Sequence, residues 1–509
     1  MSELPPPLSE ASDPAPPPPL PAIEREPLPT SLLWWTVALA LAGDFLMRDI
    51  PWGINAALWM GLLTWGAVLH VGRDSSHPMP AAALRFFLAA GCFAFLFALR
   101  DAPSAQFICA LAAGVCLLYG LAITQGFAWR DTGLPEFIAR GFEAAGVAAM
   151  LAGEQAATSH VRPAKDVTAR FGLLLRGILL AVPFLIIFMI LFARADARFM
   201  NFFDQSFDPT QIVGHLLALG LSALFAWIML VGVARRRKSP TDVKLTFEDP
   251  AWAMGAAEVS IAVGMISLLF LVFVSLQAGY LFGGVEYLMK TAQLTAADYG
   301  RSGFYELVTA AAIVLGTVYF FDWLARDSAP ASRRILYWLV RGLLILTVLV
   351  LLSAVHRMQL YVQMFGLSEQ RLMTFIFMGW LTLLFVWSEA TILRGRRARF
   401  ASGALVSALM VAMIFPLINP HAMIASVNLK RLAEGKRFDL EYAETLSNDT
   451  LPILVEHHAV LPPAEQKWLS SFMEKRRASL DNENWRSWNF GDVAANIALE
   501  SRLRYNSVL

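Results

Sequence analysis

Residues 277–307 gather the side chains of this chain that could do chemistry. Two tyrosines, a glycine pair, an arginine and a glutamate lie between or just inside two long apolar runs: Tyr280, Gly283, Gly284, Tyr299, Arg301 and Glu306. An arginine at a membrane edge can anchor an anionic group, and glycines let the backbone approach a ligand closely. Tyrosines of an aromatic belt beside a helix-capping turn would explain the same residues without a ligand.

Other polar residues are predicted to lie on the same side of the membrane. Arg194 and Asp196 could bind a phosphate headgroup or a cation, or could belong to a solvated loop that holds itself together. His356 and Arg357 follow a later apolar run, and a histidine there is a candidate proton carrier or a structural residue.

Two further ionisable residues, His215 and Glu258, lie inside apolar runs. Such residues usually face the interior of a helix bundle, because a charged group in contact with lipid is costly. With Glu306 they could form a proton or ion path, and they could equally be polar contacts between helices.

The composition identifies the class of protein. The chain has 509 residues, of which 57% are hydrophobic and 16% charged, and its mean hydropathy is +0.54. A soluble protein of this size has about 25% charged residues. We therefore expect an all-α integral membrane protein. A net charge of +1 without a basic stripe argues against binding to nucleic acid.

No cofactor or metal site is predicted. The cysteines lie in apolar runs without disulfide or metal-ligand spacing, and His457 and His458 have no further ligand at a suitable distance along the chain apart from Glu456. Glycine-rich phosphate loops and hydrolase motifs are missing from the sequence, so enzymatic activity stays an open question.

Apolar runs separated by turn signals predict about eleven transmembrane helices. They lie at about 31–47, 51–72, 80–99, 104–127, 171–193, 209–233, 254–282, 302–324, 335–355, 371–393 and 400–419. Residues 134–153 show helical periodicity around charged residues, which is typical of a helix that lies along the membrane surface.

These spans predict four regions. Residues 1–30 form a disordered proline-rich tail, and 31–168 form a four-helix membrane region with the surface helix. Residues 169–419 form a seven-helix core, and 420–509 form a small helical module of three to five short helices. Within this module Asp439 and Asp449 are placed like helix N-caps, and Pro463 stands near a first helical position.

The distribution of Lys and Arg predicts the orientation. With the N-terminus in the cytoplasm, about 20 of these residues face inward and about 8 face outward. The C-terminal module then lies outside a bacterial inner membrane. The loops 194–209, 280–301 and 356–370 lie on the same face.

Several segments resemble an uncharacterised bacterial multi-pass membrane family, DUF4173, with the related DUF4153 type as second choice. The matching segments are Phe192–Phe199, Gln277–Gly284, Tyr299–Leu307, Asn419–Asn428, Leu446–Pro452 and Trp485–Asn489. They extend from about residue 169 to the C-terminus. The resemblance implies a polytopic membrane protein and no particular activity.

Three hypotheses for function follow. The first is transport or handling of a lipid, polymer or ion at the outer face. The second is an envelope sensor, scaffold or assembly factor that binds a protein partner through the C-terminal module. The third is a membrane-embedded transferase with Asp196, Glu306 or His356 as its base. Membrane lipids are expected partners in all three.

Overall fold

The computed structural model describes residues 29–48, 51–71, 79–158, 209–234, 255–282, 304–325, 330–436, 439–480 and 484–508. Within these ranges every regular element is a helix. The all-helical prediction is therefore confirmed for the described part of the chain. The predicted N-terminal tail lies outside it.

Six helices form a first bundle around one apolar core. They are α1 (Thr30–Met47), α2 (Ile54–Val71), α3 (Ala81–Phe97), α4 (Pro103–Thr124), α5 (Leu134–Thr158) and α6 (Pro209–Ala234). Phe87, Phe93, Leu117 and Leu230 are fully buried in its centre. Pro103 begins α4, where a missing N–H costs nothing because that donor has no partner within the helix.

Five helices form a second bundle beside the first. They are α7 (Ala256–Phe282), α8 (Phe304–Leu324), α9 (Pro330–Phe365), α10 (Glu369–Thr391) and α11 (Phe400–Leu417). Phe304, Leu336 and Leu343 lie in its core. Helix α11 also packs against α4 and α5, and it therefore joins the two bundles.

Eight helices of the described chain are long and apolar enough to cross a membrane. Two of the predicted spans correspond to the shorter apolar helices Ile54–His70 and Ala81–Phe97. The predicted span 171–193 lies outside the described residues. The protein is thus a multi-pass membrane protein, but the predicted count of eleven spans is not confirmed.

Helix α5 lies across the ends of two membrane helices. The Gln125 amide at the end of α4 donates to Ala144 O at 3.4 Å, and Trp227 Nε1 of α6 donates to Ala152 O at 3.1 Å. Ala144, Ala148 and Ala152 are buried in these contacts. The location of this helix at the membrane surface remains a prediction.

The loop predicted at 356–370 is wrong over most of its length. Helix α9 continues through His356 and Arg357 to Phe365 and ends at Gly366, whose φ is +82°. Polar residues signalled a loop there, but no helix breaker occurs before Gly366. A left-handed glycine is the usual stop for a helix.

The described residues 420–436, 439–480 and 484–508 form the C-terminal module. It comprises α12 (Pro420–Ala433), α13 (Leu440–Thr445), α14 (Leu451–Glu456), α15 (Pro463–Leu480) and α16 (Phe490–Val508). Its core includes Leu451, Leu469 and Ala495. The predicted cap at Asp439 is confirmed, since its side chain accepts from Tyr442 N, and Pro463 is the first residue of α15. The cap predicted at Asp449 is wrong, because Asp449 lies inside a 3₁₀ turn and bonds elsewhere.

The module packs against one end of both bundles, which we call the module end. Residues 51–53 and the links 98–102, 366–368 and 418–419 lie there. The opposite end, the far end, holds the start of α3 and the links 125–133 and 392–399. An ion pair of 3.1 Å between Arg399 and Asp131 connects these two far-end links.

Candidate functional site at the junction with the C-terminal module

Backbone hydrogen bonds attach the module to the first bundle. Ile54 N donates to Trp488 O at 2.8 Å, and Phe490 N donates to Ala98 O at 2.7 Å. The Arg486 guanidinium donates to Phe45 O. The segment 486–490 therefore runs along the end of α1, the start of α2 and the end of α3. The contacts with α2 and α3 are made by backbone groups alone.

Asp449 links the module to the start of α4. Its side chain is 0% exposed, and its Oδ2 accepts from Asp101 N and from the Ser447 hydroxyl, both at 3.0 Å. Arg100 lies 3.5 Å from its Oδ1. Burial raises the pKa of the Asp449 carboxyl, and the Arg100 guanidinium lowers it by a smaller amount. The pair is therefore a buried charge contact between a membrane-helix link and the module.

His421 continues this network to the second bundle. Its Nδ1 accepts the backbone N–H of Ser447 at 2.9 Å, because an amide nitrogen can only donate. The other ring nitrogen, Nε2, must then carry the proton, and it lies 3.3 Å from Glu369 Oε1. His421 is 2% exposed. A continuous chain of contacts thus runs from Glu369 through His421, Ser447 and Asp449 to Arg100.

The order serine, histidine and carboxylate occurs in hydrolases, but this arrangement cannot activate the serine. The Ser447 hydroxyl lies 2.9 Å from His421 Nδ1 and also 3.0 Å from Asp449 Oδ2, to which it donates. The histidine nitrogen nearest to it already accepts a backbone N–H. Ser447 is also only 6% exposed, so no substrate reaches it. The chain of contacts holds the module in place and does not supply a nucleophile.

A second polar group lies beside it. Asn448 N donates to Asp101 Oδ2 at 3.0 Å, and Asn448 Nδ2 donates to Asp492 Oδ1 at 2.7 Å. Asp492 N in turn donates to Asn489 Oδ1 at 2.8 Å, and this bond caps the start of α16. These bonds connect the α3–α4 link to the start of α16.

A third contact holds the α9–α10 link. Asn428 Oδ1 accepts from Leu367 N and its Nδ2 donates to Leu367 O, both at 2.8 Å. Arg431 donates to Met364 O at 2.8 Å, and burial lowers the pKa of its guanidinium. A Cβ at Gly366 would lie 2.6 Å from both side chains. The link therefore needs glycine both for its backbone angle and for this close approach.

Most of the site predicted from the sequence lies outside the described residues. This holds for Arg194, Asp196, Gly283, Gly284, Tyr299 and Arg301. Tyr280 belongs to the last turn of α7. The predicted convergence of these residues stays a prediction.

The predicted residues that are described lie apart from one another. Glu306 is exposed in the first turn of α8 at the module end, whereas Glu258 is exposed in the first turn of α7 at the far end and accepts from Gly255 N. His215 pairs with Asp44 at 2.7 Å on the first bundle. His356 and Arg357 are half-buried on α9. The proton or ion path through Glu258, Glu306 and His215 stays a prediction.

The junction network was not singled out as a site by sequence reasoning. Three of the segments quoted for the family resemblance, 419–428, 446–452 and 485–489, nevertheless meet in it. The presence of these three segments in the sequence was therefore the signal that could have pointed to the junction. One sequence cannot show which distant polar residues pair.

No three His, Cys, Asp or Glu side chains come close enough to hold a metal ion within the part of the chain that the structure describes. His457 Nδ1 lies 3.0 Å from Ile453 O of its own helix. His458 lies beside Ser470 and the Arg502 guanidinium. Burial of the imidazole lowers its pKa, and the charge of Arg502 lowers it further.

A family model, Domain of unknown function (DUF4153), matches residues 87–457. The family model therefore starts inside α3 and ends directly after α14. The resemblance seen in the sequence motifs was expected to start only at about residue 169. The assignment of these motifs to DUF4173 is not supported. The searches of curated proteins and of solved structures found no match.

Proposed function

This chain belongs to the DUF4153 family, and we propose that it is a scaffold or assembly factor of the bacterial inner membrane. Its C-terminal module would bind an envelope protein at the outer face. The observation that carries the proposal is the buried network that joins Glu369 and Arg100 of the membrane part to His421 and Asp449 of the module.

The network favours a fixed platform. Breaking a buried ion pair by removing one partner costs roughly 3–5 kcal/mol, so the module does not swing freely on its links. A transporter needs one part of its bundle to move against another around a substrate site. In the network, His421, Ser447 and Asp449 are instead buried against each other.

The proposed orientation places the N-terminus in the cytoplasm and the module outside. Exposed arginines cluster at the far end, on the α10–α11 link and beside it: Arg130, Arg394, Arg396 and Arg399. At the module end, Arg100 and Arg371 instead contact the protein through Asp449 and Gly366 O. Positive residues on one side are typical of the cytoplasmic face. The eight long helices, the two shorter ones and the predicted span 171–193 would make eleven spans. An odd number of spans places the two termini on opposite sides of the membrane.

The test is site-specific photo-crosslinking in living cells. A benzophenone amino acid is placed at Glu474 or Ile497, which are exposed on α15 and α16, and at Arg396 on the far end as a control. The module positions should give a discrete cross-linked protein that the control position does not give. Substitution Asp449→Ala should weaken the product. Protein present at normal levels with no product from either module position would contradict the proposal.

A second candidate is the handling of a membrane lipid. It is favoured by an apolar groove on the first bundle, formed by α2, α3 and α11.

A further inference from the structure

A groove of about 560 Å³ runs along the membrane-facing surface between α2, α3 and α11. Val68 and Leu84 lie toward the far end, and Leu96 and Leu417 lie toward the module end. Its lining residues are almost all apolar: Gly61, Thr64, Trp65, Val68, Leu84, Leu88, Gly91, Cys92, Phe95, Leu96, Met413 and Leu417. The groove therefore follows the direction of a lipid chain in the bilayer.

The groove offers few polar groups to a ligand in its middle. The Thr64 hydroxyl donates to Met60 O of its own helix at 2.8 Å. Its depth comes from Gly61 and Gly91, where an added Cβ would meet no atom within 4 Å. The exposed side chains of Trp65, Leu88 and Phe95 form the walls of the groove; Leu88 is 56% exposed and Phe95 is 69% exposed.

The size fits one long hydrocarbon chain. An apolar cavity of roughly 150 Å³ takes up a six-carbon benzene ring, so this groove has room for on the order of twenty carbon atoms. Water is excluded from the hydrocarbon region of a bilayer, and an empty groove would lose dispersion contacts along its whole wall.

A positive charge lies on the same helix face at the far end. Arg85 is exposed in the second turn of α3, three residues before Leu88 and seven before Cys92. Residues at this spacing share one face of a helix. An arginine at the membrane surface is well suited to a phosphate, because its guanidinium can donate two parallel hydrogen bonds.

We propose that the groove binds one acyl chain of a phospholipid from the far-end leaflet and that Arg85 holds the phosphate of the same molecule. This site is independent of the docking role of the module, which lies at the other end of the helices.

The experiment uses the full-length protein in vesicles of phosphatidylethanolamine and phosphatidylglycerol. A fraction of the phosphatidylglycerol has a photoreactive diazirine in the middle of one acyl chain. After illumination, mass spectrometry of peptides locates the attachment. The expected products are on α2, α3 and α11, with Trp65, Cys92 and Met413 the most strongly labelled.

Two variants, each with a control, test the apolar groove and the role of Arg85 separately. Gly91→Leu fills the groove and should lower labelling of this site roughly tenfold. Gly114→Leu, at an exposed glycine of α4 that also has open space, should leave it unchanged. Arg85→Ala should weaken labelling by a similar factor, and Arg85→Lys should retain most of it.

Three results would overturn the proposal. They are equal labelling of all membrane-facing helices, labelling of the groove that Gly91→Leu leaves unchanged, and no labelling of Trp65, Cys92 or Met413. Neither groove variant should alter the cross-links from Glu474 or Ile497. Failure of this site and failure of the docking proposal can therefore be told apart.

Discussion

The carboxyl group of Asp449 is buried between Arg100 and Ser447, and burial raises its pKa from an ordinary value of 3.8. Between that value and the raised pKa, the folded protein holds a proton that the unfolded chain has released. The free energy of unfolding therefore falls as the pH rises through this window.

Replacing Asp449 with Asn should remove this slope. The measurement is the unfolding midpoint of the purified protein in detergent, taken at small pH steps upward from about pH 4. Asp439→Asn is the matched control, because Asp439 is exposed and asparagine caps a helix equally well. A slope that persists in Asp449→Asn would show that another group titrates there.

His421 joins the membrane part to the module through both ring nitrogens. Substitution His421→Ala leaves the buried Ser447 N–H without its acceptor and removes the contact with Glu369. Each such loss costs about 1–3 kcal/mol, so unfolding by denaturant should become easier by at least about 2 kcal/mol.

The control for this prediction is His457→Ala. Among the residues that the structure describes, the His457 ring bonds to Ile453 O of α14, the helix that it follows directly. A change within about 0.5 kcal/mol is expected there. Equal effects of the two substitutions would mean that the junction adds no special stability.

At the scale of helices, local sequence predicted most positions correctly. Long apolar runs mark α4 and α6 to α11, because hydrocarbon surroundings impose both length and composition on a spanning helix. The predictions were wrong where one local pattern is compatible with two structures. The polar residues after Val355 suit a loop or an extended helix equally well, and Asp449 before Leu451 resembles a cap.

The α9–α10 link gives an element-scale prediction with an internal control. Gly366 and Gly435 have φ angles of +82° and +79°, but only Gly366 lies against Asn428 and Arg431. Alanine at Gly435 should cost about 1 kcal/mol for its backbone conformation alone. Alanine at Gly366 should cost about 1–3 kcal/mol more because of the overlap.

Thermal unfolding of both glycine variants measures the difference. If Gly366→Ala were no less stable than Gly435→Ala, the link would not be packed against α12 as the structure has it.

At the scale of the whole molecule, two helical bundles share one end that is covered by the C-terminal module. This assembly was not readable from the sequence, because Asp101 and Asp449 are 348 residues apart and their pairing follows from the fold alone. The orientation inferred from the charge counts of the loops stays a prediction. The chemistry predicted around Tyr299 and Arg301 lies outside the described residues and stays a prediction.

The measurement that tests the central claim most directly is the accessibility of the module in intact spheroplasts. In a protein whose Cys92, Cys109 and Cys116 are replaced by alanine, a single cysteine is introduced by Ile497→Cys or, separately, by Arg396→Cys. A membrane-impermeant maleimide should label position 497 before lysis and position 396 only after it. Labelling of position 396 before lysis, with position 497 protected, would place the module in the cytoplasm and contradict the account.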